Sequence, residues 1–436
     1  MSGAPSLPDR AVQISDYGQE RGGASRLALV LAGGLRDRGV PVTVFSGDHG
    51  AAATGAGADQ AGVAGAALLE RGRARAIVSG LWNRQAVAEL RAYLHNQDSP
   101  RTVYHVHGFM QTLSPAIFAA LHPVRARVVI HAHDYFLACP NGAYFDFQDG
   151  AECARVPLSA GCCLRHCDKR SYPQKLWRLG RQRLLNRLMR DFLNDATVIL
   201  PHGGMRAYLE RGGQRIAGAV RLANPATPFL QGPARPATQK GFLFVGDIHA
   251  YKGVFVLARA ARQAGVPLVM AGDGQDRAAL QREFPEITFA GWQDRAGLAE
   301  LAALARAVVV PSLGPEPFGL ALVEALACGL PVIVSDRALL AAEVVAAGAG
   351  LAARAGDPDD LARALARLDT DDALIAQMSA RAWGAQAQFG KSASQWCDDI
   401  LTLYDRVLIR ARQHAASGTA AGGVAAQQQA RIGGYG

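Results

Sequence analysis

At 436 residues, half of them hydrophobic, the chain is long enough for roughly two to three domains with cores of their own, which excludes a chain too short or too polar to fold. A formal net charge of +9 and a pI near 9.4 favour an acidic partner, whether nucleic acid, anionic lipid or a phosphorylated substrate, without choosing among them. No run of about 18 residues is apolar enough to span a bilayer, and Met1 to Asp16 has no apolar stretch behind a basic head, so a cytoplasmic protein is expected.

Val12 to Ser15 reads as a strand, Asp16 to Gly23 as a loop and Ala24 to Arg38 as a helix, the opening unit of a doubly wound α/β domain. Gly22 and Gly23 either let the backbone approach a phosphate or sugar or make a plain tight turn. A second strand, Pro41 to Phe45, and a loose Gly/Ala-rich connection, Gly47 to Gly65, come next. The helix Asn83 to His95 then leads to the strand Thr102 to Val106, with His105, His107 and Gly108 at its end. Val128 to His131 runs into His131-Ala132-His133-Asp134-Tyr135. A lone histidine is usually a satisfied core residue, but four at adjacent strand tips point to ligand binding, because open parallel sheets bind ligands there.

Five of the seven cysteines, Cys139, Cys153, Cys162, Cys163 and Cys167, fall in one Gly/Asp-rich insert. Four thiolates around a structural zinc would staple such a loop, with Cys139, Cys153, Cys163 and Cys167 as the set and Cys162 as competitor. Reduced, buried thiols are the alternative reading. Lys169 to Arg190 carries eight basic residues and no acidic one, interleaved with Leu176, Trp177, Leu184 and Leu188. It is either a segment that lies on an anionic membrane or a core helix with a solvated basic face. No nucleic-acid-binding module surrounds it. Ala196 to Leu200 is the last strand of this half, Pro201 to Arg211 a helix, and Pro228 to Pro236 a hinge-like linker.

A second strand, loop and helix series opens at Gly241 to Val245. It continues through Gly246-Asp247-Ile248-His249-Ala250-Tyr251-Lys252-Gly253, where Lys252 stands at a helix entrance suited to phosphate. Further strands are expected at Val266 to Met270, Ile287 to Ala290, Ala307 to Val310 and Pro331 to Ser335. Between the last two lies Pro311 to Cys328, where a helix opening at Phe318 or Gly319 aims backbone N–H groups out of a Gly/Pro turn. Glu316 and Glu324 flank that turn, placed to accept hydrogen bonds from the hydroxyls of one ligand.

Glu316-Pro317-Phe318-Gly319-Leu320 through Glu324-Ala325, followed by Gly329-Leu330-Pro331-Val332-Ile333, resembles the signature of retaining GT-B-fold glycosyltransferases of family 4. His133-Asp134-Tyr135-Phe136 through Cys139-Pro140 and the Gly22-Gly23 loop resemble the same family, and the likeness extends over Val12 to Arg412. It implies two Rossmann-like domains facing across a cleft: residues 1–225 on the acceptor side, a linker at 226–236, a nucleotide-sugar domain at 237–394, a helix at 395–412 crossing back, and a disordered tail at 413–436.

The resemblance also implies sites. Lys252 and the N–H groups of Phe318, Gly319 and Leu320 would neutralise the donor diphosphate, with Gly22 and Gly23 beside it. Glu324 would hold ribose hydroxyls and Glu316 the donor sugar, while His133 would sit over the sugar or β-phosphate. His107 is a weaker acceptor-side candidate. No metal is needed for the chemistry. One departure stands out: Asp247 occupies the place where relatives carry a diphosphate-gripping arginine. Either it turns away and His249 or a distant arginine compensates, or the donor is held weakly.

The reading is transfer of a sugar from a nucleoside diphosphate donor to a saccharide or lipid-linked acceptor in polysaccharide synthesis, in the cytoplasm and peripherally at a membrane. A nucleotide-sugar epimerase or hydrolase and a non-catalytic assembly scaffold are the alternatives.

Overall fold

Runs such as Val42–Ser46, Val128–His131 and Thr197–Leu200 are buried at every position, as strands covered on both faces must be. The computed structural model describes residues 6–48, 59–65 and 72–432. Its first half supplies β1 (Arg10–Ser15), β2 (Val42–Ser46), β3 (Asp59–Gly62), β4 (Thr102–Val106) and β5 (Val128–His131). A hairpin of β6 (Phe145–Asp146) and β7 (Ala151–Glu152) follows, then β8 (Thr197–Leu200) and β9 (Ala219–Arg221). All but the hairpin form one parallel sheet in the order β3, β2, β1, β4, β5, β8, β9.

The second half supplies β10 (Gly241–Val245), β11 (Leu268–Ala271), β12 (Thr288–Gly291), β13 (Ala305–Val310), β14 (Val332–Ser335) and β15 (Gly350–Ala353). These also lie parallel, in the order β12, β11, β10, β13, β14, β15. In both sheets the strand order reverses beside the first strand, between β1 and β4 and between β10 and β13. That is where an open sheet leaves a crevice beyond its strand ends.

Several elements differ from the sequence reading for identifiable reasons. The helix expected from Pro201 begins at Met205, because the His202 ring accepts the Gly204 N–H (3.0 Å) and holds a bend before it. The stretch 226–236 is not a free hinge: Phe229 is buried in the second core and Ala234 N–H donates to the Cys328 carbonyl. The terminal helix, Ala393–Ile432, runs beyond Arg412 into the segment expected to be disordered; 433–436 lie outside the described residues, as does 49–58 of the Gly47 to Gly65 connection.

The basic segment is a helix, Tyr172–Asp195, begun by Ser171 capping Gln174 N–H and by Pro173 in its first turn. Its basic residues do not share one wet face. Lys175 and Arg181 are buried, and Arg178 pairs with buried Asp168 at 2.8 Å. No described helix is long and apolar enough to cross a membrane.

The terminal helix packs Trp396, Ile400, Tyr404 and Val407 onto Leu27, Leu31 and Leu35 of the Gly23–Arg36 helix and onto the first sheet. Trp396 is fully buried and stands beside His131, so this contact ties the last helix to the strand tips that carry the histidines. Trp396→Ala is expected to lower unfolding free energy by about 3–5 kcal/mol. Trp292→Ala, at an exposed position, should change it by no more than about 0.5 kcal/mol; urea unfolding measures both.

Candidate functional site

The four strand-tip histidines form a stack. Ring centroids lie 4.2 Å apart for His105 and His107 and 4.1 Å apart for His131 and His133, with planes within 27° and 11° of parallel. Hydrogen bonds fix their tautomers. Gln13 Nε2 donates to the Tyr404 hydroxyl (3.2 Å), so its Oε1 accepts from His107 Nε2–H (2.9 Å). The neutral His107 ring then offers Nδ1 as acceptor, and His133 Nε2–H donates to it at 3.1 Å. Burial first, then the neighbouring rings, holds His105, His107 and His133 well below the usual histidine range, so the stack is uncharged at neutral pH.

Nitrogens of His105, His107 and His131 come within 4.8 Å of one another. Nearly parallel rings keep their in-plane lone pairs side by side instead of converging on a point, so the arrangement suits hydrogen bonding better than a shared ion. With both ring nitrogens engaged, His107 has none left for an acceptor. Its Nδ1 instead holds the His133 ring in place.

Asp16, at the end of β1, was not singled out by sequence. Its carboxylate accepts from the N–H groups of Met110, Gln111, Thr112 and Leu113 at 2.8–3.1 Å and from the Thr112 hydroxyl, pinning the loop that follows His107. One cavity of about 450 Å³ is lined by Arg21, Gly22, Gly23, His107, His133 and, from the second domain, Asp247. Asp247 therefore lies at the edge of that cavity. Burial and the nearby Lys169 push His249 below its ordinary pKa.

On the opposite wall Lys252 Nζ lies 2.6 Å from Glu316 Oε2, which also accepts from the Ser312 hydroxyl at 2.9 Å. Burial opposes both charges, yet each partner outweighs it: Glu316 is pushed down and Lys252 up. Gly253 makes this approach feasible, since φ is +76° and a Cβ there would sit 2.0 Å from the Pro311 carbonyl oxygen. His133, Lys252 and Glu316 line one further cavity of about 380 Å³. Phe145, Phe147 and Asn141 of the cysteine-rich insert wall it, and Phe147 packs edge-on against Tyr251.

The other expected donor contacts lie to one side. The helix after the Gly/Pro turn is short, Leu320–Leu326, with Gly319 at φ +73° before it, and the Phe318 ring is buried in the second core. Leu320 reaches the first domain: a Cβ on Gly23 would meet its Cδ1 at 3.1 Å. Glu324 is not among the residues that line the 380 Å³ cavity with Glu316. It is buried, and its Oε1 accepts from Arg26 of the first domain (3.0 Å) and from Arg295 (2.9 Å).

The thiols expected to hold zinc do not gather. Lys175 Nζ sits 3.0 Å from Cys167 Sγ and 3.5 Å from Cys162 Sγ, and Cys139 Sγ donates to Asn141 Oδ1. Cys163 Sγ turns instead to the Leu158 carbonyl and Arg183, and Cys153 to Arg155. An ammonium already stands where a metal would have to be, and two like charges cannot share that place; Cys139, Cys153, Cys163 and Cys167 do not fit zinc in this arrangement. Burial pushes Cys139 up to about 11, as for a protonated thiol.

Comparison with known proteins fits this geometry. Residues 21–217 match the family model described as Glycosyltransferase Family 4, and residues 229–386 that described as Glycosyl transferases group 1. Both models describe glycosyltransferases, and they match one half of the chain each. The glycogen synthase of Mycobacterium tuberculosis is 28% identical over 270 residues, 58% of this chain and 63% of that protein. The chain spans less than two thirds of the curated relatives' own length.

Sucrose-phosphate synthase from Thermosynechococcus elongatus superposes with a TM-score of 0.64 at 20% identity, covering 95% of this chain and 100% of its own. Anabaena HepE in complex with UDP-glucose does so at 0.63 and 17% identity, covering 90% and 99%. The fold is GT-B: two parallel-sheet α/β domains facing across a crevice.

Lys252→Met would leave the Glu316 carboxylate without its cation. Because Glu316 is depressed in the folded state, the pair's stabilisation is present above the unfolded carboxylate pKa and is lost as pH falls through the folded value. The gap in thermal midpoint between wild type and variant should accordingly be full at pH 7 and shrink on acidification toward pH 3, read by thermal unfolding across that range.

Proposed function

We propose that the chain transfers a sugar from a nucleoside diphosphate donor to a saccharide or lipid-linked acceptor, with retention of anomeric configuration. The observation that carries this is the meeting of His133 from the first domain with Lys252 and Glu316 from the second around one crevice. A departing diphosphate there would draw the Lys252 ammonium from Glu316 and take N–H groups at Phe318, Gly319 and Leu320. Glu316, released, would accept from donor-sugar hydroxyls.

Both arginines on Glu324 donate to Oε1, which leaves Oε2 for ribose hydroxyls. His133 Nε2–H is spent on His107, so its Nδ1 is the nitrogen left to face the sugar. The bond from the anomeric carbon to phosphate oxygen breaks, a bond to the acceptor oxygen forms on the same face, and the acceptor's proton passes to the leaving phosphate. No metal takes part in these steps. The acceptor would be met in the cytoplasm, peripherally at the inner face of a membrane.

The reading is tested by product analysis with a panel of UDP- and GDP-sugars, with and without acceptor saccharides. Turnover should need an acceptor; equal turnover of donor alone would favour a hydrolase or epimerase. Lys252→Ala should slow transfer about a hundredfold or more, the typical cost of one preorganised charge contact, about 2.7–4 kcal/mol. Asp247 lines the neighbouring cavity, and a carboxylate about 5 Å from a diphosphate charge would cost about 3 kcal/mol at an effective dielectric near 20. Asp247→Arg is expected to tighten donor binding at least about tenfold by calorimetry; unchanged affinity would place the carboxylate away from the phosphates.

A further inference from the structure

Lys169, Arg178 and Lys252 bring cations to the 380 Å³ cavity, and two of the three are already paired. Lys252 is offset by Glu316 at 2.6 Å and Arg178 by buried Asp168 at 2.8 Å. Lys169 has no carboxylate in ion-pair range among the described residues. The acids nearby deepen the imbalance. Asp134 lines both this cavity and the 450 Å³ one, and one of its oxygens accepts the Phe136 N–H at 2.8 Å. Neither Asp134 nor Asp247, at the edge of the second cavity, has a cation in ion-pair range among the described residues. A multiply charged anion entering here meets net repulsion unless it gains a cation besides Lys252.

The chain holds Lys169 on a fixed bend between the last cysteine of the insert and the helix Tyr172–Asp195. Asp168 before it is anchored twice: its carboxylate pairs with Arg178 and accepts the Arg170 N–H at 3.0 Å, and its carbonyl accepts from Gln148 Nε2 at 2.8 Å. Ser171 after it caps the helix. The Lys169 side chain keeps contact with solvent, and its four-carbon stem gives the ammonium reach. The protein around it, then Arg170 and Arg178, pull its pKa below the ordinary lysine range, while Asp276 of the second domain opposes them. Its charge in turn lowers His249 there, so it is felt on the far side of the crevice. An ammonium disfavoured by its own surroundings gains most from an arriving anion.

We infer that Lys169 is a second diphosphate-binding cation, reaching the donor's diphosphate from the first domain as Lys252 reaches it from the second. This rests on the nucleoside diphosphate donor of the reading above, and adds to it the residue and the domain that complete the grip. Two ammonium groups then share a charge that Lys252, already offset by Glu316, does not balance alone. A ligand held from both sides also draws the two halves of the chain together around it.

The test is calorimetric titration of UDP, GDP, UMP and GMP into wild type, Lys169→Ala and Lys169→Arg. For the base that the protein binds, Lys169→Ala should weaken the diphosphate fivefold or more and the monophosphate less than twofold. Lys169→Arg, which keeps the charge, should stay within about threefold of wild type for both. Both variants should keep the wild-type melting temperature, since the side chain is exposed. Diphosphate affinity indifferent to Lys169→Ala, or a loss shared equally by mono- and diphosphate, would overturn the proposal. Diphosphate binding that depends on Lys169 without any sugar transfer would leave this site standing and remove the transfer reading. Sugar transfer with a diphosphate grip indifferent to Lys169 would do the reverse.

Discussion

Glu324 is a carboxylate taken out of water, and a charge so placed must be paired. Its two cations come from different directions, Arg26 on the first helix of the first domain and Arg295 in the second, so satisfying one buried charge holds the halves together. The contact of Leu320 with Gly23, where there is no side chain to displace, sets how closely they approach. The rest of the site follows from that spacing. Only with the domains this near do His133 and the Lys252–Glu316 pair line the same cavity.

The first domain adds a second constraint. Polar side chains inside a parallel sheet need partners, and Gln13 and His105 find theirs in Tyr404 of the terminal helix. The helix that caps the sheet thereby sets the proton positions of the histidine stack, one hydrogen bond at a time, out to the ring that faces the crevice. A packing element and a chemical element share one network.

Much of this was legible in the chain. Buried parallel strands announce themselves as apolar runs, and their tips locate a crevice; His133, Lys252, Glu316 and the glycine loop are singled out by the motifs that carry the family resemblance. What pairs with them could not. Gln13 and Tyr404 lie 391 positions apart, Arg26 and Glu324 298, and no local pattern records such a partner. For the cysteine cluster, spacing leaves zinc and reduced thiols both open, because it says nothing of Lys175, which enters from another helix and puts its ammonium among the thiols. For the basic segment the sequence leaves a membrane surface and a core helix both open, since it does not show that Lys175 and Arg181 turn inward to thiols, a carbonyl and aromatic rings. The insert's aromatic residues, which wall the reaction cavity, carry no periodic signal at all.

The central claim is that this crevice grips a pyrophosphate through Lys252 and main-chain amides, and comparing nucleotides that differ by one phosphate isolates that grip. Calorimetric titration of UDP, GDP, UMP and GMP into the protein should show one diphosphate binding at least about tenfold more tightly than its monophosphate, a gap of about 1.4 kcal/mol or more. That gap should close in Lys252→Ala. Equal affinity for the mono- and diphosphate in wild type, or a gap that survives loss of the lysine, would contradict the account.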